Sequence, residues 1–186
     1  MRVTFYLLFL FSILTACSDQ SFEKEMIISD DFFKGSVSLV KMENMKKYKL
    51  SIIDSSKQIV DHIYTPYDVF QLETGDINRD GKTDICLGII KPTPFDPVLK
   101  KRLFLFQIDQ GYIRPLWLSS RLVNPMEQFS VGKDSLGHSI IHTIENKGSD
   151  LYCVRTYQWG TFGMSYINTS HDSITYEKAE QILQAY

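Results

Sequence analysis

Gly75-Asp76-Ile77-Asn78-Arg79-Asp80-Gly81-Lys82-Thr83-Asp84 runs directly into Ile85-Cys86-Leu87-Gly88-Ile89-Ile90. Oxygen-bearing side chains fall at relative positions 1, 3, 5 and 9 of this loop, as Asp76, Asn78, Asp80 and Asp84. Gly81 stands at position 6, where the chain must turn sharply, and the Lys82 carbonyl at position 7. Hard oxygens at this spacing wrap a hard cation, so Asp76, Asn78, Asp80, Lys82 and Asp84 form a candidate calcium site. An EF-hand requires an acid at position 12; this chain has Leu87 there, and an apolar run follows in place of a helix. The loop is therefore expected to join two strands. Asp-Gly pairs and Asx turns also build tight turns without any ion, and that simpler reading stays open.

Outward from the loop, short alternating apolar segments dominate. Segments 35–41, 47–54, 58–63, 68–73, 84–90, 102–109, 112–117, 138–144, 151–158 and 162–167 read as strands. Turn residues separate them, as in Asp54-Ser55-Ser56, Asp109-Gln110-Gly111 and Asn146-Lys147-Gly148-Ser149. Leu103-Phe104-Leu105-Phe106 is apolar at every position, which predicts an interior strand covered on both faces. One helix is expected, over Tyr176–Leu183, where good helix formers gather with little β-branching.

The chain also carries an internal repeat. Leu50-Ser51-Ile52-Ile53-Asp54 resembles Leu105-Phe106-Gln107-Ile108-Asp109 at a spacing of 55 residues, and Gly81 matches Gly137 at 56. A third unit is suggested near Leu151, although Gly111 to Gly160 is only 49 residues. A duplicated unit of several strands has the size of a propeller blade, but three are too few for an ordinary closed propeller. The pattern Asp-x-Asn-x-Asp-Gly-x-x-Asp, followed by an apolar strand with glycine, resembles the FG-GAP (VCBS-type) repeat over about fifteen residues. That resemblance implies blade-like antiparallel sheets with calcium in an inter-strand loop, often a structural ion in a binding or adhesion module. The second copy, Gly132-Lys133-Asp134-Ser135-Leu136-Gly137-His138, keeps the glycine and one acid and lacks the other ligands. The expected fold class is all-β: antiparallel sheets in propeller-blade-like units, as an incomplete propeller or a small β-rich domain, with a short C-terminal helix.

At the N-terminus, Arg2 precedes an apolar run from Val3 to Leu14, and small residues follow. This is the layout of a secretory signal, and it is too short for a membrane-spanning helix. Leu14-Thr15-Ala16-Cys17 resembles the lipobox of bacterial lipoproteins. The resemblance implies acylation of Cys17, removal of residues 1–16, and anchoring to a membrane by lipid. Ser18 follows the cysteine where an aspartate would retain an enteric lipoprotein in the inner membrane, so the outer membrane is expected. Residues 17–25 then form a lipidated tether and 26–186 a single β-rich FG-GAP-like domain.

Twenty basic side chains face 22 acidic ones, a near-neutral balance that argues against a nucleic-acid partner. Cys86 and Cys153 sit in strand patterns, and the sequence leaves open whether they form a disulfide. Other chemistry finds little support. His138 and His142 lie four apart but on a strand pattern, Asp30 and Asp31 are adjacent on a strand, and Ser119-Ser120 beside Arg121 has no nucleophile signature. Trp117 and Trp159 suit either a sugar platform or a core. Catalytic motifs for serine hydrolases, zinc proteases or phosphate cradles do not occur in the sequence. The expected function is non-enzymatic binding or scaffolding of an envelope protein or glycan. The alternative is a small carbohydrate-active enzyme or its accessory subunit.

Overall fold

The computed structural model describes residues 23–42, 47–94, 96–118 and 122–186. Within these residues twelve strands and one helix follow in chain order. The strands are β1 (Glu23–Ser29), β2 (Lys34–Met42), β3 (Lys47–Asp54), β4 (Ile59–Thr65), β5 (Asp68–Gly75), β6 (Asp84–Thr93), β7 (Asp96–Asp109) and β8 (Tyr112–Leu118). They continue as β9 (Met126–Lys133), β10 (Ser139–Gly148), β11 (Leu151–Trp159) and β12 (Met164–Ile174), and α1 spans Tyr176–Leu183. The strands form three four-stranded antiparallel meanders, β1 to β4, β5 to β8 and β9 to β12, each built like a propeller blade. Neither a closed barrel nor a closed propeller forms among the described residues, and no helix there is long and apolar enough to cross a membrane.

Side-chain alternation explains the stacking. On β6, Ile85, Leu87 and Ile89 point toward the first sheet, where they meet Val37, Leu39, Leu50 and Ile52 in one core. The intervening Cys86 points the other way, into a second core with Leu105, Trp117, Phe129 and Ile141. The same division runs along β7: Phe104 and Phe106 face the first core, Leu103 and Leu105 the second. The apolar run read as an interior strand is thus the third strand of the middle sheet, buried on both sides. The outer face of the third sheet packs Ile144 and Val154 against Ala179 and Leu183 of α1. An incomplete propeller has two terminal faces, and this helix covers the one on the third sheet.

The repeat landmarks occupy matching places in the sheets. Asp54 and Asp109 end the third strands of the first and second sheets, and Gly81 and Gly137 lie between the first and second strands of the second and third. Gly111 and Gly160 both lie between third and fourth strands, so the shorter spacing between them reflects unequal segments within a preserved order.

Two sequence expectations require correction, and one open question is answered. Strands β1 and β9 did not register as strands in the sequence, and residues 23–25, expected in the tether, pair with Val40, Leu39 and Ser38 inside the first sheet. Asp30 and Asp31 lie in the turn after β1 and not on a strand. Cys86 and Cys153 are both buried and both free; Cys86 lies in the second core, whereas the Cys153 thiol contacts the Glu145 carbonyl oxygen at 3.6 Å. Cys17 and residues 119–121 lie outside the described residues.

Candidate calcium loop

The loop between β5 and β6 is folded by its own carboxylates. Asp76 Oδ1 accepts the Asp80 N–H at 3.0 Å and its Oδ2 accepts the Gly81 N–H at 3.0 Å. Asn78 Oδ1 also accepts the Asp80 N–H, at 3.1 Å, and Asp80 Oδ1 accepts the Lys82 N–H at 2.9 Å. The Asn78 amide donates to Asp80 Oδ2 at 3.2 Å. Arg79 and Gly81 adopt positive φ, 66° and 84°, which curls the chain around these oxygens. The expected ligand residues at positions 1, 3 and 5 are therefore brought onto one tight turn. Each carboxylate also answers backbone donors, as its Asx chemistry allows.

Asp84 differs from the others. It opens β6 in full burial, and its Oδ2 accepts the Ile77 and Asn78 N–H groups at 2.9 and 3.2 Å. Its Oδ1 is equally buried and has no hydrogen-bond partner. Burial pushes the Asp84 carboxyl up to about 7, against the pull of the two N–H donors, and the nearby Asp80 and Asp76 charges add to the rise. A buried carboxylate oxygen without a partner is costly. A cation among Asp76, Asp80 and Asp84 would relieve both the missing partner and the mutual repulsion. Among the described residues no three acidic, histidine or cysteine side chains already converge to metal-binding distance. The fit therefore rests on the loop spacing and on the orphaned oxygen.

Neighbouring sheets hold the loop from both sides. Asp30, in the β1–β2 turn, accepts the Thr83 N–H through Oδ2 at 2.8 Å, while its Oδ1 accepts the Phe32 and Phe33 N–H groups. Despite partial burial, the bonds from Thr83, Phe32 and Phe33 hold the Asp30 carboxyl below the usual range. Arg79 donates to Gln158 Oε1 of β11 at 3.1 Å. Lys82 pairs with Asp109 at 3.4 Å and lies 5.4 Å from the Phe32 ring centroid. Below the loop, Ile77 is fully buried in the second core. One nine-residue turn thus touches all three sheets. Asp30 and Gln158 escaped the sequence reading because their contact with the loop is purely tertiary.

The remaining candidates resolve into structure. In the second repeat copy, Asp134 Oδ1 accepts the Leu136 and His138 N–H groups, closing an ordinary hairpin, and its Oδ2 faces His138 Nδ1 at 3.2 Å. His142 is buried, with Nδ1 on Thr156 at 3.0 Å and its ring stacked 3.6 Å from Tyr186, so the two histidines do not form a pair. Trp117 and Trp159 belong to the second core. The sequence also missed a buried acid, Glu145. Its Oε1 accepts from Thr143 at 2.9 Å and Tyr157 at 2.6 Å, and its Oε2 from Arg155 at 2.6 Å and the Asn124 N–H at 2.8 Å. Four donors occupy the acceptor sites of this carboxylate, which ties the segment before β9 to the third sheet. No family model matches the chain, nor does any curated protein or solved structure compared with it.

Proposed function

We propose that this chain is a lipid-anchored, non-enzymatic binding or scaffolding module of the bacterial envelope, stiffened by calcium in the loop from Asp76 to Asp84. Asp76, Asn78, Asp80, Asp84 and the Lys82 carbonyl would hold the ion. The observation that carries this reading is the buried, unpartnered Asp84 Oδ1, on a carboxyl that feels the charges of Asp80 and Asp76, in a loop clamped to all three sheets. When bound, calcium supplies charge neutralisation and a rigid junction, with no chemical step.

Chain direction supports an orientation. β1 starts at Glu23 and runs toward the loop, ending in the turn that contacts Thr83. A lipid on Cys17, six residues upstream, has a reach of at most ~20 Å. The membrane then lies at the Glu23 end and the calcium loop faces away from it. Beside the loop, Phe32 is 62% exposed, and Leu136, on the equivalent hairpin of the third sheet, is 79% exposed.

Calorimetry on the folded domain tests the reading. One calcium per chain is expected, with a dissociation constant in the range of extracellular modules, roughly 0.1–1 mM. Magnesium should bind poorly, since it requires tight octahedral geometry. Asp80→Ala should remove the heat while leaving the circular dichroism unchanged. Absence of calcium binding in the wild type would return the loop to an ordinary turn.

A further inference from the structure

At the end of the stack opposite the calcium loop, the first and second sheets part to form a cleft of about 260 Å³. Its walls are Leu50 and Ile63 from the first sheet and Leu87, Ile89, Phe104 and Phe106 from the second. These walls are the edge of the core that the two sheets share, and native interiors carry few voids larger than a water molecule. At roughly 30 Å³ per water-sized group, the cleft takes about nine heavy atoms.

The mouth carries one distinctive charge. The Lys91 ammonium lies 5.0 Å from the Tyr67 ring centroid and 5.1 Å from that of Phe104, and both rings line the cleft. Two aromatic faces hold this cation in place. Its neighbours are positive as well. Lys100, opposite Lys91 on β7, and Arg102, which donates to the Lys91 carbonyl at 2.8 Å, share a single carboxylate, Asp96. Asp68, opposite Ile90 on β5, forms no ion pair with Lys91, and no carboxylate among the described residues does. An apolar slot ending in a positioned, unpaired cation is complementary to a ligand with an apolar body and one anionic head.

We propose that this cleft binds a small amphipathic carboxylate, an acyl chain of about eight carbons whose head group pairs with Lys91. Nothing in this depends on calcium, so the two sites fail or succeed separately. Titration of the folded domain with octanoate, octanol and octylamine, followed by calorimetry, tests it. Octanoate should saturate at one per chain, at least tenfold more tightly than octanol, with octylamine weakest. Lys91→Met should abolish the preference for octanoate over octanol, and Ile63→Trp should fill the slot and block all three. Equal affinity for the three probes, or no saturable binding of octanoate to the wild type, would overturn the proposal without recourse to any variant. An unchanged preference in Lys91→Met would overturn the role of that lysine.

Discussion

At position 84 a single carboxyl group links the loop to the stability of the whole chain. Its folded pKa, about 7, lies above the model-peptide value of 3.8. In calcium-free buffer the unfolded chain loses this proton first as pH rises from about 4 to 7, so the group's contribution falls across that window and is level above it. Asp84→Asn should flatten this part of the pH profile, read as the urea midpoint in the presence of a chelator. An identical slope in the variant would place the titrating group elsewhere. Two glycines make a second contrast. A Cβ on Gly35 would lie 2.0 Å from the Ile53 carbonyl oxygen and 3.0 Å from the Asp54 Cα, both backbone atoms that cannot step aside. Gly35→Ala should therefore cost ~3 kcal/mol or more. Gly137, at φ +84°, has open space around it, so Gly137→Ala should cost only the left-handed strain, about 1 kcal/mol. Chemical denaturation of the two variants compares them directly. At this scale the sequence was legible where spacing is local: positions 76, 78 and 80 share one tight turn, and Asp84 opens the strand that follows it. The clamps from Asp30 and Gln158 were not, because partners far along the chain leave no local signature.

Among the elements, α1 decides how the open stack ends. Its start is marked by Thr175, whose hydroxyl accepts the Lys178 N–H, and its buried face is Ala179 and Leu183. Leu183→Ala removes the larger of these from contact with Ile144 and Val154. A loss of about 2–4 kcal/mol is expected, with increased binding of a hydrophobic dye to the uncovered sheet. A variant as stable as the wild type would mean the helix is ornamental to the third sheet. The helix was readable over its full length because its composition is local and unambiguous. β9 was not, for a specific reason. Its register slips opposite Ile144 and Glu145, so Met126 and Phe129, three apart, both reach the second core and the period-two signal is broken. β1 failed differently: Glu23, Lys24 and Glu25 make its first half look like a solvated tether, and only Met26 and Ile28 pack against the first core. Lys24 reaches across to the Leu72 carbonyl and to Glu73 of β5, contacts that the sequence had no means of showing.

At the scale of the whole molecule, the three blade-like sheets of the described residues share two cores, and the middle sheet contributes to both. Its two-faced apolar strands were the clearest global signal in the sequence, whereas the failure to close into a ring was foreshadowed only by the count of repeats. The anchor assignment belongs at this scale too. Cys17→Ser should leave the precursor uncleaved and prevent metabolic labelling by a fatty-acid analogue; labelling and processing like wild type would remove the lipid from the account. The loop proposed to hold calcium has a global reach because it is bonded to all three sheets, through Asp30, Asp109 and Gln158. An ion that binds only the folded loop stabilises everything the loop holds, by mass action. At 10 mM calcium and a dissociation constant of roughly 0.1–1 mM, the gain is about 1.4–2.7 kcal/mol, or about 3–10 °C for a chain of this size. The most direct measurement is therefore the thermal midpoint of the folded domain across calcium concentrations, with Asp80→Ala alongside. The account predicts a midpoint that climbs with calcium in the wild type and stays fixed in the variant. A wild-type midpoint indifferent to calcium, or a variant that climbs equally, would contradict it.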